Sequence, residues 1–250
     1  QDCHMVDIGG FKRAADEFMK PERSEYKHFF SGANYLLTYL AAGAAKKAGD
    51  QEQADTLMKQ YAMAVERLKS AGDLEISPVY QNGKLAEVKV RVKNIRAGHN
   101  LPTSLTNVRQ MWLEITAKDE RGTVIMTSGA LNADGTLPDN SRIFNSDGMG
   151  DNFHFAIDPW VVTAFSRHDT IPPKGFKDVY YGVASSTGVK MMVIEVKLRY
   201  RQADQKVAEH LLAAVPKDID LEKIYGLKAV PPLPVVDMVV KQATFATTGD

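Results

Sequence analysis

One cysteine stands in 250 residues, a scarcity that excludes an internal disulfide framework and a cysteine-rich zinc site. Neither sign of charge is in surplus, because lysine plus arginine and aspartate plus glutamate both number 31. That balance excludes the basic surface of a nucleic-acid binder and an acidic tail, and no aromatics interleave with a basic run. No apolar run approaches the roughly 18 residues that a membrane span needs, so no transmembrane segment is expected. Internal repeats and low-complexity segments are missing. So are a Gly-x-Ser-x-Gly elbow, a His-Glu-x-x-His helix and a glycine-rich phosphate loop. No signal-peptide pattern follows Gln1, and Gln1-Asp2 reads as a processed or cleaved end. What is present is a globular composition, 44% hydrophobic and 25% charged, in a length suited to one or two domains of roughly 100–200 residues each.

The hydrophobic period divides the chain. Residues 1–72 read as helical. Gly9-Gly10 makes a turn, Phe11–Met19 a short amphipathic helix, and Pro21 a stop. Ser24 is a plausible N-cap for a second helix to Lys47, with Phe29, Ala33, Leu36, Leu37, Leu40 and Ala44 as its buried face. Asp50, with Gln53 three residues on, caps a third helix whose stripe is Ala54, Leu57, Met58, Tyr61, Val65 and Leu68. The last two form an antiparallel hairpin. From residue 73 the period becomes 2. Val88, Val90 and Val92 alternate with charged residues, as do Met111, Leu113, Ile115 and Ala117, and the series from Met192 to Tyr200. Asp119-Glu120-Arg121-Gly122 turns one strand into Thr123–Thr127, and Val179–Val183 is a further strand. The fold class is therefore α+β: a helical hairpin, then in residues 73–250 an antiparallel β-sandwich of about seven strands. A short helix at Gln205–Ala214 and a proline-rich tail follow.

Chemistry-bearing residues are sparse. The loop from Gly129 to Pro159 carries Asp134, Asp139, Asp147 and Asp151, hard oxygen ligands for a calcium ion, although EF-hand spacing is absent. Cys3-His4 ends a stretch spaced like the last four positions of Cys-x-x-Cys-His, in which two thiols attach haem and the histidine binds iron. The first cysteine of such a motif would immediately precede Gln1, so these residues alone read first as a free cysteine beside a surface histidine. His28 lies at the edge of an apolar stripe. His99 sits in the corner Gly98-His99-Asn100-Leu101-Pro102-Thr103, where glycine and proline restrict the path and rigid loop residues lean towards ligation. His154, His168 and His210 look ordinary.

Several segments taken in order resemble the C-terminal part of bacterial multihaem c-type cytochromes. Gly98-His99-Asn100-Leu101-Pro102-Thr103 with Arg109-Gln110-Met111-Trp112-Leu113 is similar to that family's GHxLPT…RxWL segment. Ser128-Gly129-Ala130-Leu131, Thr170–Gly175, Leu198-Arg199-Tyr200-Arg201 and Leu233–Val236 resemble its later elements, and His28-Phe29-Phe30-Ser31-Gly32-Ala33-Asn34 its HxFxGxN run. The resemblance spans residues 3 to about 238. It implies haem c, with Cys3 in the thioether bond, His4 as proximal iron ligand, and His28 and His99 as distal candidates. It further implies low-potential bis-histidine ligation, electron transfer in the periplasm or at the cell surface, and other haem domains and redox proteins as partners. The chain departs from the family in having no complete Cys-x-x-Cys-His, so it reads as a fragment of a longer cytochrome. Two alternatives remain: a haem-free sandwich that binds a partner, and a haem enzyme with an open axial position.

Overall fold

Alanine and leucine dominate the stretch after Asn34, and they form the helix α1 (Tyr35–Lys47). This is a computed structural model, and it describes residues 6–11, 24–27, 32–183, 188–226 and 229–249. Contacts divide the chain into two units, Gln1–Leu68 and Lys69–Asp250. In the first, β1 (Val6–Phe11) pairs antiparallel with β2 (Ser24–Lys27), with Val6 opposite Lys27. α1 is joined through Ala48-Gly49-Asp50 to α2 (Gln51–Ala71). Asp50 caps α2 as its sequence requires, its carboxylate accepting from the Gln53 amide at 2.9 Å. Tyr61 of α2 meets Tyr35 edge-on at 5.9 Å between ring centres and also lies against Tyr39. An antiparallel hairpin results.

Two expectations for this unit are corrected. Ser24 does not cap a helix running to Lys47. It lies in a strand, and the helix starts at Tyr35, after Gly32 and Asn34, residues that favour turns and caps over a helix interior. The buried face of α1 is also one residue out of phase with the expected stripe: Tyr35, Ala42 and Ala45 are buried, whereas Leu37 is exposed. A helix that is apolar nearly all round has no periodicity to choose its face. The stripe on α2 is as expected at Ala54, Leu57, Tyr61 and Leu68, with Met58 outside it. Of the expected Phe11–Met19 helix, Phe11 closes β1, and the rest lies outside the described residues.

The second unit is an antiparallel β-sandwich. β3 (Gly72–Gln81) and β4 (Lys84–Asn94) form a hairpin through Asn82-Gly83, both with positive φ as a two-residue primed turn demands. β10 (Phe176–Gly182) completes this sheet in the order β10-β4-β3. The other sheet runs β12-β11-β5-β6, built from β5 (Gln110–Asp119), β6 (Val124–Ser128), β11 (Met191–Arg201) and β12 (Val236–Ala246), with β7 (Ile143–Phe144) also on β5. Val88, Val90 and Val92 on one sheet and Leu113, Ile115, Ile194, Val196 and Leu198 on the other are completely buried. Each such side chain contributes about 1.5–3 kcal/mol relative to exposure. Gly72 packs so closely that an added Cβ would stand 3.0 Å from the Leu198 side chain. A separate ribbon pairs β8 (Ser146–Met149) with β9 (Ala164–His168). α3 (Gln205–Ala213) is capped by Asp204, and α4 (Leu221–Tyr225) by Asp220. No described helix is long and apolar enough to cross a membrane.

Candidate functional site

β4 ends at Asn94, an amide with no solvent exposure. Its Nδ2 donates to the carbonyls of His99 (2.8 Å) and Ile171 (3.2 Å), and its Oδ1 accepts from the Ala97 amide (3.0 Å). The loop from 95 to 103 is therefore wrapped around one buried side chain. Its far end is tied by a two-way backbone pair between Leu101 and Ile171 (2.8 and 2.7 Å) and by Asn100 Nδ2 donating to Thr170 Oγ1 (2.9 Å). The Leu101–Pro102 peptide is cis.

His99 is exposed on this loop. Its Nδ1 lies 2.9 Å from the Asn100 carbonyl oxygen, which can only accept, so in the neutral ring Nδ1 carries the proton and Nε2 the lone pair. That is the tautomer and ring orientation which second-shell carbonyls impose on metal-ligating histidines. The expected rigidity is present, but its source differs. Gly98 has neither a left-handed φ nor any atom within 4 Å of a would-be Cβ, and Asn94 does the holding. Cys3, His4 and His28 lie outside the described residues.

The other segments of the resemblance converge on structural work. Trp112 is fully buried and donates from Nε1 to the Gly129 carbonyl at 2.9 Å. Gly129 has φ +76°, and an added Cβ would lie 2.0 Å from the Leu113 carbonyl oxygen, so only glycine fits there. Arg199 and Arg201 stand over the indole with guanidinium carbons 5.6 and 5.8 Å from it. Arg201, almost completely buried, donates to Gln110 Oε1 and to the Gly135 carbonyl (2.6 Å). Gly175 supplies the carbonyl that accepts from the Asn94 backbone N–H (2.9 Å) and closes a turn onto Pro172. The motif residues are thus two couplings, Trp112 with Gly129 and the Arg199–Arg201 strand, and the Asn94–His99 loop with Thr170–Gly175.

The structure does not gather the four aspartates: no group of three or more His, Cys, Asp or Glu side chains suited to a metal occurs among the described residues. Asp134 accepts from the Thr136 amide (2.9 Å) and hydroxyl (2.6 Å), bonds that lower its pKa and build the turn presenting Gly135 to Arg201. Asp147 forms a bidentate pair with Arg167 (2.7 and 2.8 Å). Asp139 and Asp151 face solvent. In a long polar loop such acids look like ion ligands, and the structure spends two of them on a turn and an ion pair.

A serine–histidine pair does occur. Ser146 Oγ is 2.7 Å from His168 Nδ1. However, Ser146 is buried, and the neighbouring Asp169 is bound to Arg142 and Lys177 instead of the imidazole. This pair clasps β8 to β9 and is no nucleophile. Burial raises the pKa of Asp169, but the hydrogen bonds from Arg142 and Lys177 outweigh it and hold the carboxyl below its ordinary value.

No protein-family model matches the sequence, and no curated protein matches it. Among solved structures it is similar to a penta-haem cytochrome c552 from Thermochromatium tepidum, with a TM-score of 0.49 and 17% identity over 72% of this chain. The chain spans 41% of that cytochrome. A structural-genomics target, SoR45, matches at a TM-score of 0.24 and 7% identity, over 52% of this chain and 70% of its own. At these values the likenesses assign no family.

Proposed function

We propose that this chain is the C-terminal part of a multihaem c-type cytochrome and serves electron transfer in the periplasm or at the cell surface. The observation that carries the reading is His99: an exposed imidazole, its Nδ1 committed to a carbonyl, on a loop pinned by a buried amide. Supporting it are the Cys3-His4 pair and the ordered run of motifs. In this reading Cys3 would hold the haem covalently, His4 would be its proximal ligand, and His28 and His99 would be distal ligands to this haem or to haems on neighbouring domains. Haem c, when bound, would supply reversible one-electron chemistry. What this chain's residues do is orient and exclude. Asn94 holds the His99 carbonyl, the Asn100 carbonyl holds the ring, and the sandwich fixes both relative to β4. Other haem domains, of this or a neighbouring chain, and a redox protein are the partners proposed.

The test is an intact mass of the native chain with its reduced visible spectrum. Sharp α-bands and a mass above the polypeptide are expected. A colourless protein at the polypeptide mass overturns the reading and leaves a haem-free binding module. In a haem-bearing protein, His99→Ala should turn one low-spin haem high-spin, and an unchanged spectrum removes His99 as a ligand. A native high-spin haem that shifts with added small ligands would instead mark an enzyme with an open axial site.

A further inference from the structure

Between β8 and β9 the chain makes a knob on which large apolar side chains are exposed beside Asp151, Asn152 and His154. Phe153, Phe155 and Trp160 are 85%, 79% and 72% exposed, and Ile157, Val161 and Phe165 are about half exposed. The knob is built to hold them there. Gly150 donates to the His154 carbonyl (2.9 Å), Ala156 to that of Gly148 (3.0 Å) and Thr163 to that of Met149 (2.8 Å). Asn107 Nδ2 donates to the Ile157 carbonyl (3.1 Å), and His210 of α3 lies 3.1 Å from the Asp158 carboxylate. Gly148 admits no side chain, since a Cβ would be 2.7 Å from Val162 and 2.8 Å from the Ala156 carbonyl oxygen. Asn152 and Phe153 both adopt positive φ (61° and 60°), a costly backbone for a bulky residue, and the result is an aromatic ring pointed at water.

We infer that this knob is the contact between two copies of the chain. At about 150–250 Å² per aromatic side chain, the four rings at these exposures leave on the order of 600 Å² of apolar surface. That lies at the upper end of the largest patch on a typical monomer, roughly 300–600 Å². With Ile157 and Val161 added it approaches the share of about 800 Å² that each partner gives to a standard interface. Charge points to a like partner. The chain has no net charge, so copies do not repel, and the knob itself carries one exposed carboxylate, Asp151, while beside it Asp147 pairs with Arg167 and Asp158 lies against His210. Charge-poor apolar surfaces of this size belong to lasting interfaces, whereas brief redox encounters use smaller, charge-steered patches. A two-fold arrangement would bury the same residues from both copies and close the assembly at two.

The experiment is sedimentation equilibrium of the full chain at neutral pH over micromolar concentrations, with the double variant Phe153→Gly, Trp160→Ser beside it. Glycine suits the backbone at 153, so the variant keeps its fold, which circular dichroism checks. The wild type should be a dimer, and the variant should dissociate on the order of a hundredfold more readily. A wild type that stays monomeric throughout overturns the inference, whether or not another protein or an apolar dye binds the knob. So does a folded variant that remains as dimeric as the wild type.

Discussion

Two parts of the sandwich unit use their side chains in opposite ways. In the frame around Trp112 and Asn94, large and polar groups are buried and each is answered by a specific partner: indole to Gly129, guanidinium to Gly135, amide to His99 and Ile171. In the knob between β8 and β9 the backbone is equally well tied, but the large side chains face water. The frame satisfies itself, so its residues are there for folding and for fixing the loop that carries His99. The knob does not satisfy itself, so its rings are there for something else. Burial with partners marks structure; ordered exposure marks contact.

The comparison can be broken most forcefully at Gly129. A methyl group there would collide with the Leu113 carbonyl oxygen at 2.0 Å, in a backbone region that alanine resists, and would push the carbonyl off Trp112. Gly129→Ala should cost about 4 kcal/mol or more, read as a fall in the denaturant midpoint. A cost under about 1 kcal/mol would mean that the frame relaxes freely and that its buried contacts do not hold the fold.

Much of this frame was legible from residue patterns. Alternation located β4, β5 and β11, and Asp119 to Gly122 announced its turn, where Asp119 accepts from the Arg121 and Thr123 amides (2.9 and 2.8 Å). β3 was missed although Asn82-Gly83, the strongest short hairpin signal, stands beside it. β12 was read as tail because prolines precede it and its exposed Val240 blurs the alternation. Carboxylates that cap turns or pair with arginine look, in a sequence, like carboxylates that bind ions, and Asp134 and Asp147 are of the first kind. Asn94 had no signal: an asparagine ending a strand is ordinary until its three partners from distant segments are known. The knob has no sequence signature, because Phe153, Phe155 and Trp160 stand scattered among the Asp, Asn and Gly residues that dominate the loop.

A middle-sized effect should come from Asp169, which binds Arg142 and Lys177 next to the Thr170–Ile171 anchor of the His99 loop. Its folded-state pKa lies below that of the unfolded chain, so its stabilisation is complete above the unfolded value of about 3.9 and is lost as pH falls through the folded value. Stability should therefore drop with acidification below about pH 4. Asp169→Asn should cost about 2 kcal/mol at pH 7, because two cations lose their shared partner, and should flatten that acid slope. A slope unchanged in the variant would assign the acid loss to other carboxylates.

The smallest effect, and the one that sets the two regions apart, belongs to Phe153→Gly alone. In the frame, removing a large ring would open a cavity. On the knob the ring is 85% exposed, so little burial is lost, and glycine relieves a left-handed backbone that costs phenylalanine roughly 1–2 kcal/mol. Against this, glycine loosens the unfolded chain by about 0.4–1 kcal/mol. The two nearly cancel, and dilute wild type and variant should melt within about 1 kcal/mol of each other. Concentration then separates them. A dimer gains stability by mass action, so the wild-type midpoint should climb as protein is added, while that of the variant stays nearly level. If both climb alike, Phe153 takes no part in association; if the variant falls by several kcal/mol even when dilute, the ring is supporting the fold and belongs with the frame.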